Sequence, residues 1–106
     1  MSASAEMFDA EGFLRDLSQW SPLIAERIAA QDSIVLGDAH WEVIELQRRY
    51  YETYKIAPVT RVLIKIVKEA LGPDKGNSIY LMKLFTGKPA KISAKIAGLP
   101  KPTNCD

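Results

Sequence analysis

Prolines and glycines interrupt this 106-residue sequence at short intervals, and most segments between them carry apolar residues at helical spacing. The main breaks stand at Pro22, Gly37, Pro58, Gly72-Pro73, Gly87, Pro89 and Gly98. No apolar run approaches the roughly 18 residues that are needed to cross a bilayer. The pattern therefore limits the chain to a bundle of short helices, and we expect no membrane association.

Five helices follow from the periodicity. Ser21 as N-cap and Pro22 at the first helical position predict the first helix. Asp38 is expected to cap a second helix over 38–55, with Tyr54 in its apolar stripe. Pro58 is expected to open the third helix. A fourth starts at Asn77 or Ser78 with an apolar stripe, and a short basic amphipathic helix ends at Gly98. The apolar stripe of the fourth helix contains Ile79, Leu81, Met82 and Phe85.

These elements predict a mainly α fold, a small orthogonal helical bundle with a helix-turn-helix-like core. Residues 1–97 are assigned to the helical domain, and residues 98–106 to a mobile C-terminal arm. Gly98 releases the last helix, and Pro100 and Pro102 prevent its continuation and favour an extended arm. The N-terminal segment 7–14 is too short to classify as a strand or an extended lead-in.

The net charge of +1 hides a strong asymmetry between the two halves of the sequence. Residues 1–54 hold four Lys and Arg against ten Asp and Glu, whereas residues 55–106 hold ten against three. This segregation favours a basic surface that meets an acidic partner or a nucleic-acid backbone. The charges of the two halves could equally well neutralise each other within the fold. The sequence leaves both interpretations of the charge asymmetry open.

Few residues could support catalysis within the body of the chain. His40 is the single histidine, and its place in the first turn of a helix is typical of a capping or surface residue. A Cys/His metal site is excluded, because no second histidine or cysteine cluster exists. Glycine-rich nucleotide-binding motifs are also absent from the sequence. Arg61, Lys65 and Lys68 follow the break at Pro58, which keeps a DNA-binding helix-turn-helix regulator as an alternative.

Cys105 is the only cysteine, and it lies on the arm rather than inside a periodic apolar segment. A single thiol makes no internal disulfide, which favours a cytoplasmic protein. The seven residues from Leu99 to Cys105 reach about 20 Å when extended. Such a thiol can hold a persulfide and pass it on by thiol exchange. Asp106 disfavours the thiolate, so we expect activation mainly when a partner docks.

The stretches KGNS (75–78) and KIAGLPKP (95–102), followed by Cys105, resemble the DsrC/TusE family of sulfur-relay proteins. EGFL (11–14), SQW (18–20) and HWEVI (40–44) are similar to the family too, so the resemblance covers nearly the whole chain. The family includes the gamma subunit of dissimilatory sulfite reductase. Many members carry an N-terminal β-hairpin, for which this N-terminus leaves room only in a short form.

The resemblance also implies a branch of the family. Sulfite-reductase partners carry a second cysteine eleven residues before the penultimate one, and Ala94 occupies that position here. The single-cysteine branch is a sulfurtransferase subunit without an independent catalytic pocket. It uses no cofactor beyond the covalent persulfide, which here would form on Cys105.

The partners that the resemblance implies are a TusBCD-like sulfur donor complex and an MnmA-like tRNA thiouridylase, with tRNA contacted only through that enzyme. The alternative is an accessory role with sulfite reductase or another sulfur relay. In either case Arg61, Lys65, Lys95 and Lys101 are the residues expected to dock the partner.

Overall fold

The computed structural model describes residues 7–103. Within that range the chain forms five α-helices and one 3₁₀ turn. The 3₁₀ turn is Leu17–Gln19, and the helices are α1 Pro22–Gln31, α2 Asp38–Tyr54, α3 Thr60–Leu71, α4 Ser78–Phe85 and α5 Pro89–Ile96. The predicted mainly α fold is confirmed. Ahead of the 3₁₀ turn, Phe8 and Leu14 form a single isolated antiparallel bridge in place of a hairpin ladder.

Side-chain caps explain where two of the helices begin. Ser21 Oγ accepts a hydrogen bond from Ile24 N at 3.2 Å, and Pro22 is the first residue of α1, as predicted. Asn77 Oδ1 accepts from Tyr80 N at 2.9 Å and so caps α4. Each cap satisfies a backbone donor that has no partner inside its own helix.

Two predicted helix starts were wrong by one or two residues. Gly37, and not Asp38, is the N-cap of α2, and the Asp38 carboxylate lies in the first turn, where the helix dipole favours negative charge. α3 begins at Thr60 instead of Pro58, because Val59 has an extended backbone with ψ of 168°. Of all the helices that the structure describes within residues 7–103, none is long and apolar enough to span a membrane.

α5 is the centre of the bundle, although it has only eight residues. It packs against α1, α2, α3 and α4. Its buried residues are Pro89, Ala90, Ile92, Ser93, Ala94 and Ile96. The small side chains among them let the neighbouring helices approach closely, and only Lys91 and Lys95 lead toward solvent. The position of α5 fixes the place from which the C-terminal arm leaves the bundle.

Some residues of the predicted apolar stripes lie on the surface instead of in the core. Tyr54 is 61% exposed because it belongs to the last turn of α2, after which Lys55 turns the chain with a φ of 61°. In α4, Ile79 and Met82 are exposed, and the core contacts come from Leu81 and Phe85. An eight-residue helix on one side of the bundle buries only one narrow face.

Candidate functional site: the root of the C-terminal arm

α5 ends in a Schellman turn, from which the arm begins. Leu99 N donates to Ala94 O at 2.9 Å, and Gly98 N donates to Lys95 O at 3.1 Å. Gly98 has a φ of +76°, a conformation that suits glycine. The sequence-based expectation that Gly98 ends the helix is confirmed, and the turn sets the direction of the chain that follows.

Two side chains from other parts of the fold bind the remaining carbonyls of this turn. Trp20 Nε1 donates to Ile96 O at 2.9 Å, and Arg48 Nη1 donates to Ala97 O at 2.5 Å. The guanidinium carbon of Arg48 lies 3.8 Å from the centroid of the Trp20 ring, a cation–π contact. Burial lowers the pKa of Arg48, and Glu52 opposes that shift. An arginine side chain stays protonated in proteins, so a positive charge lies at the negative end of α5.

Trp20 also limits what can stand at position 98. A Cβ added to Gly98 would lie 2.3 Å from Trp20 Cδ1. The indole thus touches the turn, hydrogen-bonds its backbone and stacks with Arg48. Sequence reasoning did not single out Trp20 or Arg48 as functional residues, although SQW (18–20) was among the matched stretches. Their contact with residues 96–98 is long-range and is not visible as a local pattern.

The first residues after α5, 98–102, pack against the bundle, and we call them the arm root. Leu99 is 2% exposed within the main core, and Pro102 is fully buried, whereas Pro100 and Thr103 are exposed. Cys105 lies outside the described residues. Both the division at residue 98 and the mobility of the arm stay predictions, and the structure adds that the arm root is packed.

Three lysines, two on α5 and one in the arm root, converge on residues 8–14, which we call the N-terminal turn. Lys91 Nζ lies 3.2 Å from Glu11 Oε1, and Lys101 Nζ lies 3.0 Å from Glu11 Oε2. Lys95 Nζ lies 5.6 Å from the Phe13 ring centroid. We call Lys91, Lys95 and Lys101 the lysine cluster. Its Lys101 and Lys91 lower the pKa of the Glu11 carboxyl, with Lys101 as the larger cause.

The N-terminal turn holds Glu11 in place through its own backbone. Asp9 Oδ1 accepts from Glu11 N and Phe13 N, each at 2.9 Å, and Gly12 bends the chain with a φ of +90°. Sequence reasoning missed Glu11 as a partner of the arm. The signal was present, since EGFL (11–14) was one of the matched stretches. A carboxylate between two lysines reduces the positive charge that the arm root would otherwise show.

The four predicted docking residues lie on three parts of the chain, α3, α5 and the arm root, and form two groups. Lys95 on α5 and Lys101 in the arm root belong to the lysine cluster. Arg61 and Lys65 are exposed and one turn apart on α3. Their role in docking stays a prediction.

His40 has a structural position. Its Nδ1 accepts from Gly37 N at 3.0 Å, so Nε2 carries the proton and donates to Leu84 O at 3.0 Å. The ring also meets Phe85 edge-on, with centroids 5.3 Å apart. Both nitrogens are therefore used to cap α2 and to bind α4, as expected for a capping residue.

Comparison with known proteins places this geometry in a family. The family model described as DsrC like protein matches residues 2–105. Sulfurtransferase TusE of Sodalis glossinidius (strain morsitans) is 47% identical over 97 residues, which cover 92% of this chain and 90% of that protein. The sulfurtransferase TusE homolog of Haemophilus influenzae is 50% identical over 97 residues, covering 92% of this chain and 89% of that protein.

Solved structures show the same relationship. The NMR structure of Allochromatium vinosum DsrC superposes with a TM-score of 0.84 at 49% identity, over 93% of this chain and 88% of that one. The oxidized gamma-subunit of the dissimilatory sulfite reductase (DsrC) from Archaeoglobus fulgidus gives a TM-score of 0.80 at 41% identity, over 93% and 90% of the two chains. Sequence match and shared fold extend over nearly the whole chain, which therefore belongs to the DsrC-like protein family.

Proposed function

We propose that this protein is a sulfur carrier that accepts sulfane sulfur on Cys105 and passes it to an acceptor protein. The observation that carries the proposal is the identity of 47–50% over 92% of the chain to proteins named sulfurtransferases. A sulfurtransferase that works through a thiol needs a cysteine, and Cys105 is the only one in this sequence. The packed arm root supports the proposal, because it presents the last residues of the chain from a fixed point.

The chemistry requires no oxidant and no cofactor. The Cys105 thiolate attacks the outer sulfur of a donor persulfide, R–S–SH. A new S–S bond forms on Cys105, the donor S–S bond breaks, and its electron pair leaves with the donor sulfur as a thiolate. The acceptor takes the outer sulfur from Cys105 by the same exchange, which returns Cys105 to the thiolate.

The finer proposal concerns the pathway. A TusBCD-like complex would load Cys105, and an MnmA-like thiouridylase would use the sulfur to make 2-thiouridine in tRNA. The names of the relatives support a sulfurtransferase in this system. The protein itself contacts tRNA only through the enzyme, and a cytoplasmic location belongs to the same proposal.

We propose that partner proteins dock on the four basic residues predicted from the sequence. Lys101 is part of the arm root and Lys95 lies beside it, and an acidic partner surface there would compete with Glu11 for Lys101. Arg61 and Lys65 offer a second exposed pair on α3. We expect Arg61→Met and Lys65→Met to weaken binding of the donor complex and to make it less sensitive to salt.

The test compares the purified protein with its Cys105→Ser variant. After incubation with a small-molecule persulfide, the wild type should gain about 32 Da, the mass of one sulfur, and the variant should gain nothing. Thr103→Ser, on the same segment, serves as the matched control and should load normally. In cells that lack their own carrier, wild type should restore 2-thiouridine in tRNA and Cys105→Ser should not. Restoration by the variant would refute the proposal.

A role with sulfite reductase is the second candidate, favoured by the TM-score of 0.84 to Allochromatium vinosum DsrC. Against it stands Ala94, where the resemblance to sulfite-reductase partners implies a second cysteine. Ala94 is fully buried in α5. Binding measurements with purified sulfite reductase and with an MnmA-like enzyme distinguish the two roles, because the physiological acceptor should bind more tightly.

A further inference from the structure

We propose that Trp20 and Arg48 are positioning residues for sulfur transfer, which fix the direction in which the arm carries Cys105 out of the bundle. This inference rests on the proposed carrier function. Neither side chain is suggested to touch the travelling sulfur. Both would act through the backbone of residues 96–98.

The first support is that each of the last four carbonyls at the end of α5, those of residues 94–97, accepts a hydrogen bond. Ala94 O and Lys95 O are used by the Schellman turn itself. The next two carbonyls, of Ile96 and Ala97, are bound at 2.9 Å by Trp20 Nε1 and at 2.5 Å by Arg48 Nη1. Carbonyls at a helix end are commonly left to water. Here two other parts of the chain, 76 and 49 residues away, supply the donors.

The second support is the fit between Trp20 and the turn. The indole approaches Gly98 so closely that no side chain fits at that position. Arg48 stacks 3.8 Å from the ring centroid, which restricts the rotation of both side chains. The turn is thereby held by hydrogen bonds, by stacking and by direct contact. A change at either side chain would free the turn to adopt other directions.

The third support is the short length of chain beyond the arm root. Pro102 is the last buried residue of the described range 7–103, and three peptide links from it to Cys105 reach at most about 10 Å. This is half of the reach expected for the whole arm. Thiol exchange requires the reacting atoms to meet within about 3–3.5 Å, and a misplacement of 1 Å can cost on the order of a hundredfold in rate. With so short a tether, the direction of the arm root decides whether the thiol arrives.

Two substitutions remove the contacts while preserving bulk. Trp20→Phe keeps an aromatic ring against Gly98 and deletes the donor to Ile96 O. Arg48→Met keeps a long side chain and deletes both the donor to Ala97 O and the charge. Trp41→Phe and Arg49→Met are the matched controls, since Trp41 packs partly buried against the core and Arg49 is exposed on α2. Arg48→Lys restores a donor and a charge and should rescue Arg48→Met in part.

The first measurement concerns position and needs no sulfur chemistry. Spin labels at Cys105 and at the exposed position 69 of α3, after Glu69→Cys, report the distance between arm and bundle. We expect Trp20→Phe and Arg48→Met to shift or broaden the distance distribution by at least about 3 Å, the length of one extended residue. The controls should reproduce the wild-type distribution. Equal distributions in all five proteins, the wild type included, would overturn the inference.

The second measurement separates positioning from reactivity. Loading of Cys105 by a small-molecule persulfide should stay within about twofold in both variants, because the thiol itself is unaltered. Transfer from a persulfide-loaded TusBCD-like donor should fall about tenfold in kcat/KM. Two results would contradict positioning. One is a loss of kcat/KM no larger than that of the control variants. The other is a loss that is equal with the small-molecule persulfide and with the protein donor. Failure of the wild type to load at all would instead refute the carrier function. If Trp20→Phe does not fold, the same two measurements on Arg48→Met and Arg48→Lys test the inference.

Discussion

Glu11 and Lys101 are 90 residues apart in the sequence and are joined by an ion pair of 3.0 Å between Oε2 and Nζ. Lys91 binds the other carboxylate oxygen of Glu11 at 3.2 Å. An exposed ion pair contributes little by itself. This ion pair connects the N-terminal turn with the arm root. Its loss should therefore loosen the packing of both segments.

Glu11→Gln should lower the stability of the protein at neutral pH. The two lysines lower the pKa of Glu11 in the folded state below its ordinary value of 4.5. The stabilising effect is therefore present above pH 4.5 and is lost as the pH falls through the lowered pKa. Urea unfolding from neutral to acidic pH should show wild type and variant converging at the acidic end.

The control for this prediction is Glu26→Gln, an exposed carboxylate of α1. It should show no comparable convergence. High salt should reduce the difference between wild type and Glu11→Gln, because exposed charges are screened. A difference that persists at the lowest pH and in high salt would show that the glutamine acts by something other than charge.

Gly98→Ala should be the most damaging of three glycine substitutions. It combines a φ of +76° with a Cβ that would lie 2.3 Å from Trp20 Cδ1, and we expect a loss of at least about 2 kcal/mol. Gly72→Ala meets only an unfavourable φ of +97° with no atom nearby and should lose about 1 kcal/mol. Gly87→Ala meets neither and should stay within about 0.5 kcal/mol of wild type.

Thermal and urea unfolding of the three glycine variants provide the measurement. The order of their losses separates backbone strain, seen alone at Gly72, from the contact with Trp20. A Gly98→Ala protein as stable as the Gly72→Ala protein would mean that Trp20 moves aside freely. That result would also weaken the case for Trp20 as a fixed support of the arm.

His40→Ala should reduce stability without affecting sulfur acceptance. The substitution leaves Gly37 N without its acceptor and Leu84 O without its donor, at a cost of about 1–3 kcal/mol. His40→Gln retains an acceptor and a donor and should lose less. Both variants should load Cys105 with persulfide sulfur to the same extent as wild type. The loading reaction is run below the unfolding temperature of each variant, and the product is measured by mass spectrometry. A loading defect in folded His40→Gln would point to a chemical role.

The helices could be predicted because their signals are local. A helix start or end can be predicted from a few adjacent residues. The structure confirms the starts at Ser21-Pro22 and Asn77 and the end at Gly98. The start of α2 shifted because a glycine can cap a helix when the histidine three residues later accepts its N–H, whereas α3 starts after Pro58 because Val59 is extended. Propensity alone does not reveal that bond.

The site was predictable only in part because its contacts are long-range. Lys95 and Lys101 were identified as docking residues from the basic C-terminal half, and the structure brings both to the N-terminal turn. Glu11, Trp20 and Arg48 were missed, since nothing local marks a carboxylate or an indole as the partner of a distant helix end. The central place of α5 was hidden by Lys91 and Lys95, because two lysines suggest a surface helix, whereas here their charged ends contact the N-terminal turn.

Gln47 and Ser93 are polar side chains that are fully buried where α2 packs on α5. Gln47 Nε2 donates to Ser93 Oγ, and Ser93 Oγ donates to Pro89 O at 2.5 Å. Gln47 Oε1 has no hydrogen-bond partner among residues 7–103. Ser93→Ala should therefore cost about 1–3 kcal/mol, because it leaves the whole Gln47 amide unpaired.

Gln47→Leu should cost less than about 1 kcal/mol, because it replaces an acceptor that is already unpaired and leaves the bond from Ser93 to Pro89 O intact. Adding Gln47→Leu to Ser93→Ala should recover most of the loss, which a double-mutant cycle in urea measures as a coupling free energy. A loss above about 2 kcal/mol for Gln47→Leu alone would contradict this prediction. It would mean that a buried water binds Oε1 and that the amide contributes to the packing of α2 on α5.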